Sequence, residues 1–513
     1  EAEGEYEFDD PWNAPLSQIA HSNGKLRFMG HTHNVWRFLS EDILGNPANA
    51  NAELWLGDPV GGVSATMNSD ASAHHCCIPG FRANYATGKF HAMQSHVIFS
   101  NGYAFVDGVG SSVVHDFWKV SFLNVPIGGH GAQFRDHKII DKLTFTGSGR
   151  GHIYGEGTFL NEVEMLTEGI FGGAHIYNIL TVAGGKSYEL QHDRVQTISA
   201  TGSLNVVNGS CEGMAYFHTL LPHPLAFAKI GKVSGSLALS HAILDGVFPD
   251  LTTGATYSTT NSVAIQPAVA TAWGITNPAA RDLFWVGGAG EWNDDAHWSL
   301  TSGGAGGQCP PTPLDDVFFN AASGLGAADA VSVKQVWAFC KDMDWTGSGG
   351  VLDNFYVPST WEKRDQHLGV FGNLKFAASM VNDFDGIVWL RAGQPATITS
   401  AGNHFKSNLY FWNPTGDWSL TDDLRVDITA DHHFGKLTTN NHDITLGTGW
   451  YSYLTDANSE LFLGSSTMTI LSNNANIGYG YGYFYYYPGK FHGGTSSIVF
   501  EDYYRGGLYA NSQ

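Results

Sequence analysis

The sequence predicts an all-β chain, an elongated parallel β-helix or solenoid with a small β-rich joint between modules. Three observations carry that expectation. Sustained helical periodicity is almost absent, and short apolar/polar alternations take its place. Turn residues recur at irregular intervals of roughly 7 to 12 residues, without Asn-Gly hairpin turns between matched strands. Segments near the start of the chain also reappear far downstream.

The alternating segments are short and bounded by Gly, Asn, Asp and Ser: KLTFTGSG at 142–149, YNILTVAGGKSYEL at 177–190, HDITLGTG at 442–449 and SELFLGSSTMTILS at 459–472. In the last, Leu461, Leu463, Met468 and Ile470 share one face and Thr467 and Thr469 take the other, the pattern of a half-buried strand. Asn-rich corners such as LTTNNHDITL favour stacked parallel coils over a sandwich, because stacked corners accept left-handed residues and can ladder side-chain amides.

The long repeat rests on two anchors. GKLRFMG at Gly24 resembles GNLKFAA at Gly372, an offset of 372 − 24 = 348, and GKFHAMQSHVIF at Gly88 resembles GKLTTNNHDITL at Gly435, an offset of 435 − 88 = 347. PVGGVSAT at Pro59 resembles PTGDWSLT at Pro414, displaced by 414 − 59 = 355, which makes AHHCCIPG an inserted corner. This divides the chain into 1–280, the end of one coil module, 281–345, a tryptophan- and cysteine-rich joint, and 346–513, the start of the next module. Further copies are expected on both sides, since repeat arrays bury their faces by stacking neighbours.

Composition narrows the function. Gly contributes 63 residues, aromatic residues 13% and charged residues 14%, which describes a folded chain and not a disordered one. A formal net charge of −22 repels nucleic acid and anionic lipid. No run of 18 apolar residues signals a membrane span, and a chain starting at Glu1 reads as processed from something longer. The five cysteines, Cys76, Cys77, Cys211, Cys309 and Cys340, form no C-x-x-C pair, so zinc-ribbon and thioredoxin-like sites are not expected.

The stretch FWVGGAGEWNDDAHWSLTSGGAGGQCPPTPLDDVFFNA at 284–321, with FCKDMDWTGSG around Cys340, resembles the module start of very large surface proteins of the Bacteroidota, the SprB-like gliding-motility adhesins exported by type IX secretion. GTFLNEVEML, KSYELQHDRVQTISATGSL, LFLGSSTMTI and GGTSSIVF resemble the strand units of the same family, and the resemblance covers about residues 142 to 500. The tryptophan pattern is also similar to the start of autotransporter passenger domains, which are parallel β-helices. Both resemblances imply an exported, elongated stalk or adhesin at a Gram-negative cell surface. The family pattern further implies a disulfide between Cys309 and Cys340, the alternative being two buried free thiols.

Each chemical candidate has a structural counterpart. Trp285, Trp292 and Trp298 fit either a glycan-stacking row or the cap of a coil stack. The acid pairs Asp294/Asp295, Asp342/Asp344, Asp383/Asp385 and Asp422/Asp423 would suit calcium in a β-helix polysaccharide lyase, with Lys363 or Arg364 as base. They lack a fixed calcium-loop spacing, and turn roles explain them with fewer assumptions. Asp315 and Asp316 are expected to set a turn. His74, His75, Cys76 and Cys77 are the densest soft-ligand cluster, followed by Asp431, His432 and His433, but adjacent ligands do not make a four-coordinate site alone. No G-x-S-x-G, H-E-x-x-H or P-loop pattern occurs.

The expectation is therefore a non-enzymatic extracellular adhesin or filament segment, partnered by neighbouring repeats of its own chain and by surface polysaccharide, without a cofactor, and with structural calcium left open. The alternatives are a β-helix polysaccharide lyase or hydrolase, and a carbohydrate-binding module using the three tryptophans.

Overall fold

The computed structural model describes residues 5–8, 13–21, 25–28, 32–39, 52–57, 65–70, 80–82, 89–107, 114–126, 131–219, 227–354, 366–452, 459–471, 481–486, 490–501 and 505–510. The chain is strand-rich, nearly all pairing is parallel, and it divides into two compact units, Glu1–Asn277 and Pro278–Gln513.

In the first unit the long strands Asp116–Val125, Lys138–Gly147, Glu156–Met165, Ala174–Ala183 and Val195–Val207 pair in sequence, each parallel to the next. Between them run Ala132–Arg135, Arg150–Tyr154, Glu168–Phe171, Ser187–Leu190 and Ala215–Thr219, paired with one another in the same way. A strand thus returns to its neighbour after one intervening strand. Register makes the core: Val120, Leu143, Val163, Leu180 and Leu204 line up one above another. Beside them stand Phe99, Phe122, Phe145 and Met165, all buried. The Phe99–Phe122 and Phe122–Phe145 rings stack with centroids 5.3 and 4.9 Å apart, the spacing that parallel strands impose. Asparagines form the outer counterpart, with Asn124 donating to Asn101 at 3.0 Å and Asn178 to Asn161 at 3.3 Å.

A short helix, Pro267–Trp273, completes this core. Proline at its first turn and Gly274 in the left-handed region bound it. Trp273 is buried among the core residues and donates its indole N–H to the Val247 carbonyl at 2.9 Å.

The second unit steps differently. Each strand pairs with the third one after it, so three rows of strands run side by side. One row contains Asp282–Trp285, Asp316–Phe318, Met343–Asp344, Leu374–Lys375 and Pro395–Thr399, and its inward residues Leu283, Val317, Met343, Leu374 and Ile398 are in register. A second row contains Trp337–Cys340, His367–Val370, Ile387–Leu390, Leu409–Phe411, Thr429–His432, Gly449–Ser452 and Tyr481–Tyr486. The distance along the chain from one coil to the next varies, 19 residues from Asp417 to Lys436 but 31 from Asp344 to Lys375, while the register is kept.

The corner between rows is a recurring four-residue turn. Asn403 N–H reaches the Ser400 carbonyl, His442 the Thr439 carbonyl, Ser466 the Leu463 carbonyl and Ser496 the Gly493 carbonyl. Each turn holds a residue of positive φ, Ala401, Asn440, Gly464 and Gly494 in order. At Gly494 a Cβ would lie 2.4 Å from the Gly464 carbonyl oxygen, so the stacking itself requires glycine there.

This corner accounts for the long-range similarity in sequence. GKFHAMQSHVIF carries one such corner, Ser95 N–H closing on the Ala92 carbonyl, and GKLTTNNHDITL carries another, His442 N–H closing on the Thr439 carbonyl. GKFHGGTSSIVF at Gly489 matches the Gly88 segment more closely still, at 489 − 88 = 401. The offset of 347 thus relates two corners of one kind, and the same corner recurs at other spacings along the chain. Residues 281–345 supply the first coils of the second core.

Candidate functional site

Trp285, Trp292 and Trp298 are 1%, 0% and 0% exposed. Trp298–Ser299 pairs antiparallel with Asp282–Trp285, at the end of its row, and so turns the chain back over the first coil. The Trp285–Trp298 and Trp292–Trp298 rings meet edge to face at 5.1 and 5.2 Å, and His297 lies flat on Trp285 at 4.7 Å. The indole N–H groups of Trp285 and Trp298 donate to the carbonyls of Gly288 and Trp292, each at 2.7 Å. Rings enclosed in this way present no face to a sugar. The glycan-contact alternative for these three residues is thus corrected, and they cap the second core.

The expected Cys309–Cys340 bridge is also corrected. Cys340 is a free thiol, fully buried on the inward side of Trp337–Cys340, whereas Cys309 and Cys211 are each disulfide-bonded. Cys340 serves as a small apolar core residue, and burial pushes its thiol pKa well above the ordinary value.

The acid pairs have local work. Asp342 accepts from Asn373 N–H at 2.8 Å and from its side-chain amide at 2.9 Å. Asp422 accepts from the N–H groups of Ser400 and Ala401. Asp423 accepts from Asp443 N–H at 2.9 Å, and Asp443 in turn from Thr467 N–H at 2.7 Å, a relay from coil to coil. Asp294 caps Ala296. Among the described residues no three His, Cys, Asp or Glu side chains are placed to hold a metal ion. His74, His75, Cys76, Cys77, Lys363 and Arg364 lie outside the described residues.

Asp431, His432 and His433 separate by environment. His432 is wholly buried against Phe411 and Trp450, with Nε2 3.1 Å from the Gly435 carbonyl. His433 lies 4.8 Å from Trp412 and 3.8 Å from the Asp431 carboxylate. Burial lowers the two imidazoles to about 3 and about 4, so both are neutral at pH 7.

In the first unit, Ser187 Oγ lies 2.8 Å from His218 Nε2, whose Nδ1 faces the Thr219 carbonyl at 3.1 Å. This resembles a nucleophile and its base. The same pairing recurs at His96–Ser121, 2.8 Å, and Thr158–His175, 2.5 Å, all between neighbouring coils, which marks it as a stacking motif.

The feature that sequence inspection missed is the outer side of the second row of the second unit. Phe339, Gly369, Trp389, Tyr410, Asp431, Tyr451 and Tyr485 share one register position, coil after coil. Trp389 and Tyr410 meet at 4.5 Å, Trp389 and Trp412 at 5.4 Å, and Trp337 packs on His367 at 4.4 Å. Trp389 Nε1–H donates to His367 Nδ1 at 3.0 Å. These rings form a cluster separate from the interior core. Its signal was present in IVWL, LYFW and GWYSY, where aromatic residues occupy both faces of a strand.

No protein-family model, no curated protein sequence and no solved structure matches the chain.

Proposed function

We propose that the chain is a segment of an exported, non-enzymatic surface adhesin or filament, in which each unit is a parallel β-solenoid. The observation that carries this reading is the in-register stacking of like residues through successive parallel coils, Val120 to Leu204 in one unit and Leu283 to Ile398 in the other. Such a stack gains stability from nearest-neighbour coils and offers long outer faces for many weak contacts. Asp342, Asp422 and Asp423 are engaged between successive strands, and the Ser/His and Thr/His pairs repeat in the same way. The resemblance of 284–321 to type IX-secreted adhesin modules supports the same assignment, with surface polysaccharide and neighbouring repeats as partners.

Purified protein is expected to adhere saturably to polysaccharide-coated surfaces and to leave the polysaccharide intact. New reducing ends or unsaturated uronate products on incubation with a panel of neutral and acidic polysaccharides would overturn the non-enzymatic reading.

A further inference from the structure

The last coil of the second unit ends on an open apolar face. Leu409, Ala430, Trp450 and Phe484 stand in one inward column and are fully buried, but the next residue in register, Leu508, is 59% exposed. Met468, Ile470 and Leu461 are likewise enclosed, whereas Ile498, Phe500 and Phe491, their partners in the last coil, are only partly buried. Lys490–His492, Ser497–Phe500 and Arg505–Ala510 are each the final strand of their row among the described residues. Ser497 and Glu501 turn their N–H groups back to the Ser466 and Ile470 carbonyls, and His492 its carbonyl to Leu463 N–H. Backbone groups alternate in direction along a strand, so those of Phe491, Ile498 and Phe500 point away from the stack. An edge of this kind recruits another strand.

We propose that this end is closed by the same end of a second copy of the chain, the two stacks meeting across a two-fold axis. Three strand edges round an apolar centre need a partner with the same arrangement, and a copy turned over supplies it. The turn reverses strand direction, so pairing across the contact is antiparallel. Lys490–His492 meets Ser497–Phe500 of the second copy, the reciprocal pair forms as well, and Arg505–Ala510 meets itself. Setting Phe491 opposite the second copy's Phe500 joins two inward aromatic residues and places exposed Lys490 opposite the second copy's exposed Glu501. The axis makes that charge pair twice, and opposite charges facing across strands are favourable. Lys490 already reaches Glu460 of its neighbouring coil, and an ammonium group has donors for both carboxylates. The inference needs only the stacked coils and does not depend on the adhesin reading.

Sedimentation equilibrium of the whole chain at physiological ionic strength tests it. Reversible dimerisation with a Kd on the order of 10 µM is expected, the range of a small interface. Leu508→Lys should weaken it about tenfold or more. Glu501→Lys and Lys490→Glu should each weaken self-association about tenfold, because each sets like charges face to face. An equimolar mixture of those two variants should dimerise as wild type does, since every facing pair is then opposite in sign. Each variant alone serves as the folding control of the mixture, with circular dichroism matching wild type. A chain that stays monomeric, a dimer indifferent to Leu508→Lys, or a mixture no tighter than its separate components would overturn the inference.

Discussion

Arg281 grips both oxygens of the Asp315 carboxylate, Nε to Oδ1 at 3.0 Å and Nη2 to Oδ2 at 2.7 Å, while Nη1 donates to the Cys309 carbonyl and Nη2 also to the Pro310 carbonyl, each at 3.0 Å. Asp315 also accepts from Thr312 N–H and Oγ1–H at 2.8 Å each, so one buried carboxylate ties the glycine-rich passage to the first strand of the second unit. Burial alone would raise the carboxyl pKa, but Arg281 and Thr312 overcome it and hold the group below its ordinary value.

Removing that carboxylate leaves a guanidinium and two backbone carbonyls without their organiser. Asp315→Ala is expected to destabilise the second unit by about 3 kcal/mol, read by urea denaturation. Because the folded pKa is depressed, the contribution is complete above the unfolded value of 3.8 and is lost as pH falls through the folded one. Wild type and variant should therefore converge in stability only below about pH 4, and a constant difference down to lower pH would contradict the assignment.

Each unit has its own buried core, so denaturation should not be a single two-state transition. Trp298→Ala is expected to cost about 3 to 5 kcal/mol and to move one transition while leaving the other in place. A uniform shift of all the unfolding signal would mean that the two cores unfold together.

Cys340 should resist thiol reagents in the native protein and react after denaturation without reductant. Peptide mapping after such alkylation is expected to find Cys340 modified and Cys309 protected in a disulfide. A linked Cys309–Cys340 peptide would refute the buried-thiol assignment.

The acid pairs make a further prediction. With Asp342, Asp422, Asp423 and Asp443 already accepting backbone N–H groups, neither added calcium nor a chelator should move the melting transitions. A rise in melting temperature with calcium would reveal a structural site. Asp443→Ala should cost about 1 kcal/mol by breaking one link of the relay.

The sequence carried the strand content and the parallel stacking because both follow from local alternation and corner chemistry, as at Thr467–Ile470 and Thr439–His442. It carried the capping role of Trp285, Trp292 and Trp298 only as one of two readings, since burial of an indole depends on what folds over it. The 347-residue spacing was legible because GKFHAMQSHVIF and GKLTTNNHDITL both carry a four-residue corner, and since the same corner recurs at Ser400–Asn403 and Gly493–Ser496, that spacing alone does not set the length of the repeating unit. The disulfide implied by the family resemblance misled because a resemblance does not reveal that Cys340 is a buried free thiol. The aromatic column stayed hidden since its members, Trp389, Tyr410, Tyr451 and Tyr485, are scattered in sequence and are gathered only by register.

The uneven coil length has its own consequence. Pairing follows strand position and not residue number, so a step of 19 residues and a step of 31 support the same interior. The surplus falls in the segments between paired strands, which carry none of the register. Insertions and deletions there can accumulate without disturbing the hydrogen-bonded rows, which lets the exterior diversify while the scaffold keeps its geometry.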